Sequence, residues 1–473
     1  MRPSITIFLI AVLTLSACTK VRPNRTHLTL PPPRCTTVSE EDGSVDVACA
    51  NQMTELAKRY RLHFAEFDDQ GRAYANREPF GQAHRQIQRF LDDVQDSADE
   101  DEHGVSVVVF VHGWKHSSDT EDSNLKAFRL VLDQLANVEE AAYCRRQVIG
   151  LYVGWRGAGS HLGEPLESTT FWSRKLAAEH VATGAFQQLL AGLKAIQSET
   201  PNREISRGAR DPDCSSRLKT TYVGHSFGGL VIMSSLTQDL QRGLMLDRQR
   251  QVLTRRGRDP AKSPDEMIIA INPAIEGARF DALYSTASIV NYDTYRSPRL
   301  VAITSKDDWA TGIAFPAGRL VNTVTKQYPK GDTLGRRAAR KAVGHDDQFL
   351  THQLKFATDP STDPQSCDAW TATQTLSERA LIDVIRAQAF YELVGPGYDA
   401  TLPNSPQRTY CGESFEGSNV LILEPTKERT TNLNSPIWNV RTQSPILDSH
   451  NDIQNPRLLE FLRQLYVDSM FFR

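Results

Sequence analysis

The sequence predicts an α/β architecture, a mostly parallel central sheet with helices on both faces. Two observations predict it. Short apolar runs of strand length alternate with helix-like stretches over most of the chain, the order expected of βα units. Most strand candidates, Val105–Val111 above all, are also apolar nearly throughout, which marks strands covered on both faces. At 473 residues, length alone would suggest about three domains, a soft prior that single α/β domains with insertions often break. The composition is that of a globular protein: 40% hydrophobic, 23% charged, formal net charge −3. No basic excess points to nucleic acid.

The chain opens MRPSITIFLIAVLTLSACTK. One arginine precedes an apolar run from Ile5 to Leu13, too short to span a bilayer and flanked as an export signal should be. The quartet Leu15-Ser16-Ala17-Cys18 resembles the lipobox of bacterial lipoproteins. That resemblance implies a signal peptide over residues 1–17, cleavage before Cys18, and acylation of the cysteine thiol and the new amino group. Several acyl chains hold a protein at a membrane far better than one. Thr19 in the next position resembles the pattern sorted to the outer membrane. The expected location is therefore the bacterial cell envelope, on the periplasmic or surface side. Residues 18–51, with Pro31-Pro32-Pro33, read as a tether, and residues 52–473 as the folded domain.

Of seven cysteines, setting aside Cys18 leaves six, an even number that favours disulfides in an oxidising compartment. Sequence proximity suggests Cys35–Cys49, Cys144–Cys214 and Cys367–Cys411. No cysteine stands at zinc-ligand spacing. No metal or cofactor is implied.

The strand candidates are Leu62–Phe67, Val105–Val111, Gln147–Val153, Lys219–Val223, Met267–Ile271, Leu300–Thr304 and Asn419–Leu423. Helix-like stretches are Leu125–Leu135, Arg174–Ile196, Leu230–Leu240, Glu378–Tyr391 and Leu458–Val467. Two long stretches, Trp155–Trp172 and Trp309–Gln348, carry no clear strand and follow strand candidates. They read as loop insertions over the sheet edge where sites form in open α/β sheets. Trp114, Trp155, Trp172 and Trp309 would lie in loops there, as an acyl pocket or as packing for the loops.

Gly224-His225-Ser226-Phe227-Gly228 matches G-x-S-x-G between a strand and a helix, the setting of a nucleophile elbow. A strand that reverses directly into a helix strains the serine backbone, and side chains at the flanking glycines would collide with it. An alkyl hydroxyl needs a base, and in this setting the partners follow in the order Ser, acid, His. The acid candidate is Asp308, just past Leu300–Thr304, with Asp307 as the alternative. The base candidate is His450, before the last helix, with His345 as rival and His352 nearby. Oxyanion donors would be the N–H groups of Phe227 and of Trp114 in Val111-His112-Gly113-Trp114. His112 would brace that loop, Gly113 would shape it, and Gly224 and Gly228 would support the elbow.

Together these residues make the chain, from about residue 60 on, resemble an α/β-hydrolase-fold serine hydrolase of the esterase or lipase type. HGWKH, YVGWRG, FWSRK and SKDDWATG resemble signatures of one bacterial group within it. Ser305 stands where many relatives carry glycine on the acid turn. The resemblance implies hydrolysis of carboxylic esters through an acyl-enzyme on Ser226, with a small-molecule or lipid ester as partner and the membrane held through Cys18. Phospholipase or acyltransferase action on envelope lipids is one alternative. A non-catalytic interaction lipoprotein on the same fold is the other.

Overall fold

The strands follow from burial. In a computed structural model describing residues 23–27, 29, 31–35, 39, 42–74, 82–141, 144–157, 171–200, 214, 216–255, 265–292, 297–323, 326–357, 408–415, 418–427 and 429–471, every residue of β3 (Val105–Val111) is buried. Val105, Val107, Val109 and Val111 point into one apolar core and Val108 and Phe110 into the other. This period-two alternation is what a strand between two helical layers requires.

The other strands are β1 (Thr54–Leu56), β2 (Tyr60–Phe67), β4 (Gln147–Trp155), β5 (Leu218–His225), β6 (Glu266–Ile271), β7 (Leu300–Ser305), β8 (His352–Phe356), β9 (Arg408–Phe415), β10 (Ser418–Pro425) and β11 (Ile437–Thr442). They form one sheet in the order β1-β2-β4-β3-β5-β6-β7-β11-β8-β10-β9. Pairing is parallel from β2 through β8 and antiparallel at both edges. One core packs under α1 (Gln82–Glu100), α3 (Phe171–Thr183), α4 (Phe186–Glu199), α5 (Phe227–Arg255) and α6 (Gly277–Ser288). The other packs under α2 (Ser123–Ala141) and the terminal α9 (Pro456–Phe471). The chain is thus an α/β protein with helices on both faces of a large, mostly parallel mixed sheet.

Several expectations are corrected. The stretch Arg174–Ile196 is two helices, because a Cβ on Gly184 would come 2.3 Å from the Gly71 carbonyl oxygen and Ala185 donates its N–H to that oxygen at 2.8 Å. Asn419–Leu423 lies in β10, antiparallel to both β8 and the edge strand β9; the strand leading to His450 is β11, parallel to β7. Trp155 closes β4 and is buried instead of lying in a loop. Trp309–Gln348 is largely helical, with a π-turn at Ala310–Ala314, α7 (Phe315–Thr323) and α8 (Thr333–Ala338).

Disulfides join Cys35 to Cys49 and Cys144 to Cys214. Cys367 of the expected Cys367–Cys411 pair, the helix at Glu378–Tyr391 and residues 158–170 of the first insertion lie outside the described residues. Packing against the body begins before residue 52. Arg25 is fully buried, its guanidinium 3.7 Å over the Phe64 ring and hydrogen-bonded to the Ser118 carbonyl at 2.8 Å.

Candidate active site

Ser226 stands between β5 and α5 with φ +56°, a left-handed conformation that costs a non-glycine residue about 1–3 kcal/mol. Crowding explains the glycines beside it. A Cβ on Gly228 would lie 1.9 Å from the Val111 carbonyl oxygen, and one on Gly224 would lie 2.6 Å from the backbone of Gly228. The turn brings α5 against the end of β3 so closely that no side chain fits.

The structure brings the distant candidates together. His450 Nε2 is 2.8 Å from Ser226 Oγ, and His450 Nδ1 is 2.9 Å from Asp308 Oδ2. The carboxylate accepts, so Nδ1 carries the proton and Nε2 is left bare to accept from the serine hydroxyl. Asp308 is 1% exposed. Burial pushes its carboxyl up, but the hydrogen bond and charge of His450 and the donors of Thr311 outweigh that and leave it below the usual carboxylate range. It is therefore ionised at neutral pH. Asp307, the alternative acid, instead accepts the Ser444 N–H at 3.2 Å in an exposed setting.

The two rival histidines are occupied elsewhere. His345 lies behind the acid, its Nε2 3.0 Å from Thr311 Oγ1. His352 is buried in β8 between Thr351 Oγ1 at 2.8 Å and Arg429 Nη1 at 2.9 Å.

Three side chains hold the His450 loop that sequence inspection did not single out for this role. His225 Nε2–H donates to the His450 carbonyl at 2.8 Å. Burial holds the His225 imidazole well below its ordinary pKa, so it is neutral. Asn272, at φ +45°, donates to the Ser449 and His450 carbonyls at 3.1 and 3.0 Å and accepts the Ser305 N–H at 2.9 Å. Ser305 Oγ donates to the Leu447 carbonyl at 2.6 Å. The serine noted as a departure thus ties the acid turn to the histidine loop. One signal for His225 was available: it is the variable residue inside the G-x-S-x-G stretch.

The loop after β3 lies against the serine. A Cβ on Gly113 would meet Ser226 Cβ and His225 Nδ1, both at 2.9 Å. His112 is fully buried, and burial lowers its pKa to about 4. Its Nδ1–H donates to the Gly113 carbonyl at 2.9 Å and its Nε2 accepts the Trp155 N–H at 3.1 Å. With both nitrogens engaged, His112 braces the loop and has no free face for proton transfer. Asp122 closes the same loop by accepting from Ser117 N–H at 3.0 Å and His116 Nδ1 at 3.2 Å. Phe227 is the first residue of α5, so its N–H has no acceptor in the helix ladder.

Aromatic packing divides the four tryptophans. Trp114 packs edge-on against Phe171 at 5.4 Å, Phe171 lies 4.9 Å from Phe227, and Trp172 sits 5.1 Å from Phe171. Trp155 stacks on His112 at 5.6 Å. Trp309 is 66% exposed.

The chain matches no known family model, and no curated protein is similar to it.

Proposed function

We propose that this protein is a membrane-anchored serine hydrolase of the α/β-hydrolase fold that cleaves carboxylic esters. The observation that carries it is the hydrogen-bonded line from Ser226 Oγ through both nitrogens of His450 to Asp308, at 2.8 and 2.9 Å. Such a line is within the reach required of a nucleophile, a base and an orienting acid. The fold assignment is supported by the elbow between β5 and α5, by the loop after β3 lying against it, and by the order Ser, Asp, His along the chain.

In the proposed reaction, Ser226 Oγ attacks the ester carbonyl carbon as its proton passes to His450 Nε2. The imidazolium is stabilised by ionised Asp308. The Phe227 N–H and the Trp114 N–H take the developing oxyanion. Collapse expels the alkoxide, which leaves as alcohol with the proton from His450, and Ser226 remains acylated. Water, deprotonated by His450, then attacks the acyl carbon and releases the acid. A fluorophosphonate probe tests this: Ser226-dependent labelling of folded protein is expected, and labelling that persists in S226A, or its absence from wild type, would refute it.

Action on envelope lipids, the second reading, is favoured by the anchor geometry. Arg25 is pinned at the carboxyl ends of β2 and β3, by Glu66 and Ser118, on the rim that carries Ser226. Cys18 precedes it by seven residues, a span of at most about 25 Å. A lipidated Cys18 would therefore hold this rim close to the bilayer. On the same rim Trp309, Ile313 and Leu320 are 66%, 59% and 47% exposed. Comparing hydrolysis of p-nitrophenyl esters of rising chain length with that of phospholipid vesicles separates the two substrate classes.

A further inference from the structure

The hydrogen-bonded line continues past Asp308. Its Oδ1 accepts the N–H groups of Ala310 at 2.9 Å and Thr311 at 3.2 Å. Its Oδ2, which faces His450, also accepts from the Thr311 hydroxyl. Thr311 Oγ1 in turn lies 3.0 Å from His345 Nε2. Thr311 is buried, and the His345 ring is seated against Gly312, where a Cβ would come 3.0 Å from its Cε1. The line therefore runs Ser226, His450, Asp308, Thr311, His345, across four segments of the chain.

A hydroxyl has one proton, and that fixes the direction of the outer half. With Nε2–H on His345, the imidazole donates to Thr311 Oγ1 and the hydroxyl proton is committed to Asp308. With Nε2 bare, the imidazole would compete for the hydroxyl proton, and Asp308 Oδ2 would face an oxygen lone pair. We propose that Thr311 and His345 are positioning residues that commit this proton to Asp308, share its negative charge away from His450, and so set how readily His450 gives up its own proton. The inference rests on the hydrolase assignment above and deepens it.

The charged and titratable surroundings are fixed on several elements. His450 faces Asp308 on the acid turn and His225 on β5, with His116 6.2 Å from His225. His345 faces Asp308, Arg441 on β11, and Lys341 and Asp347 on its own loop. The neighbouring Asp346 pairs with Arg337 of α8. Burial lowers the His345 pKa to about 4, so it acts as a neutral donor over the working range and not as a second base.

The test is the pH profile of kcat/KM on a soluble ester, with full-length wild type, T311V, T311S, H345L, H345Q and the double variant T311V/H345L. Without the Thr311 hydroxyl, Asp308 concentrates its charge on His450 and the imidazolium persists to higher pH. The acid limb in T311V should therefore move up by roughly half to one pH unit. T311S should restore the wild-type limb. H345L should move it the same way, H345Q, which keeps an N–H, less so, and the double variant no further than T311V alone. Superimposable limbs in folded T311V and wild type, or additive shifts in the double variant, overturn the proposal. Should T311V not fold, H345L decides: an unmoved limb overturns the inference. Loss of Ser226-dependent labelling in wild type would instead sink the hydrolase assignment. In that case the ring-proton NMR titration of His450 in wild type and H345L still reads the coupling.

Discussion

Two clusters bury charge in this molecule, and they are built differently. Beneath the N-terminal segment, Arg25, Glu55 and Arg129 are all no more than 1% exposed. Arg129 grips both oxygens of Glu55 at 3.0 and 2.9 Å and spends its remaining nitrogen on the Gly43 and Thr120 carbonyls at 3.0 and 3.2 Å. Arg25 adds a third contact to Glu55 at 3.0 Å. At the serine, burial is as deep for Asp308, yet the His450 side chain retains 19% exposure and Ser226 sits on a strained backbone. Burial of charge is common to both. What distinguishes the second is a strained hydroxyl hydrogen-bonded to a partly open imidazole, the geometry on which the proposed chemistry rests.

Substitutions should separate the clusters cleanly, and the largest effect belongs to the serine side. S226A should lower kcat by about 10⁶-fold, as loss of a triad nucleophile does, while leaving the urea midpoint near wild type. D308N should cost about 10⁴-fold, and D307N should leave ester hydrolysis within a few-fold of wild type. A steady-state assay on a short-chain ester checks all three; equal losses in D307N and D308N would break the comparison.

On the other side, E55Q should leave two buried guanidinium groups without their carboxylate. Removing one partner of such a cluster costs about 3–5 kcal/mol, so urea unfolding should show a large drop in midpoint. The kcat per folded molecule should stay unchanged. A fall in kcat at constant stability would mean that the Arg25 cluster belongs to the site after all.

Much of this contrast was legible in the sequence, for physical reasons that differ by element. β3 and β6 are read directly because two-sided burial leaves them apolar. The elbow is read because its glycines are forced by close contact, Gly228 with the end of β3 and Gly224 with the first turn of α5. By contrast, β11 escapes notice because Asn439 and Arg441 break its apolar run. Their donors find partners only in three dimensions, the Asn439 amide at the Val343 and Phe349 carbonyls and Arg441 at the Gly344 carbonyl. His225, Asn272 and Ser305 were opaque as a latch for the same reason: each serves a carbonyl more than 140 residues away. The Arg25 cluster was hidden because a proline-rich stretch reads as solvated chain until its partner carboxylates are placed.

Falling pH should pull the two clusters apart by a smaller amount. The arginines keep their charge, whereas His112 must stay neutral to brace the loop after β3. Burial holds its folded pKa near 4, below an unfolded value of about 6.5. Its contribution is thus fully present above about pH 6.5 and is lost as pH falls toward 4, at about 1.4 kcal/mol per unit. At pH 5 that amounts to about 2 kcal/mol. Urea midpoints for wild type and H112N at pH 7 and 5 check it. The pH dependence should flatten in the variant; an unaltered slope would mean that other groups govern acid unfolding.

The finest cut falls on Ser305, which joins the acid turn to the histidine loop without touching the reacting atoms. S305G removes a hydroxyl that donates to the Leu447 carbonyl and accepts the Asp307 N–H at 3.1 Å. The stability cost should be about 1 kcal/mol, the net worth of an ordinary buried hydrogen bond. Because Asn272 still grips the loop through the Ser449 and His450 carbonyls, the imidazole should keep its place and kcat should fall only a few-fold, with KM unchanged. A loss approaching that of D308N would mean instead that the loop has no independent hold on His450, and that the serine, not Asn272, keeps base and acid in register.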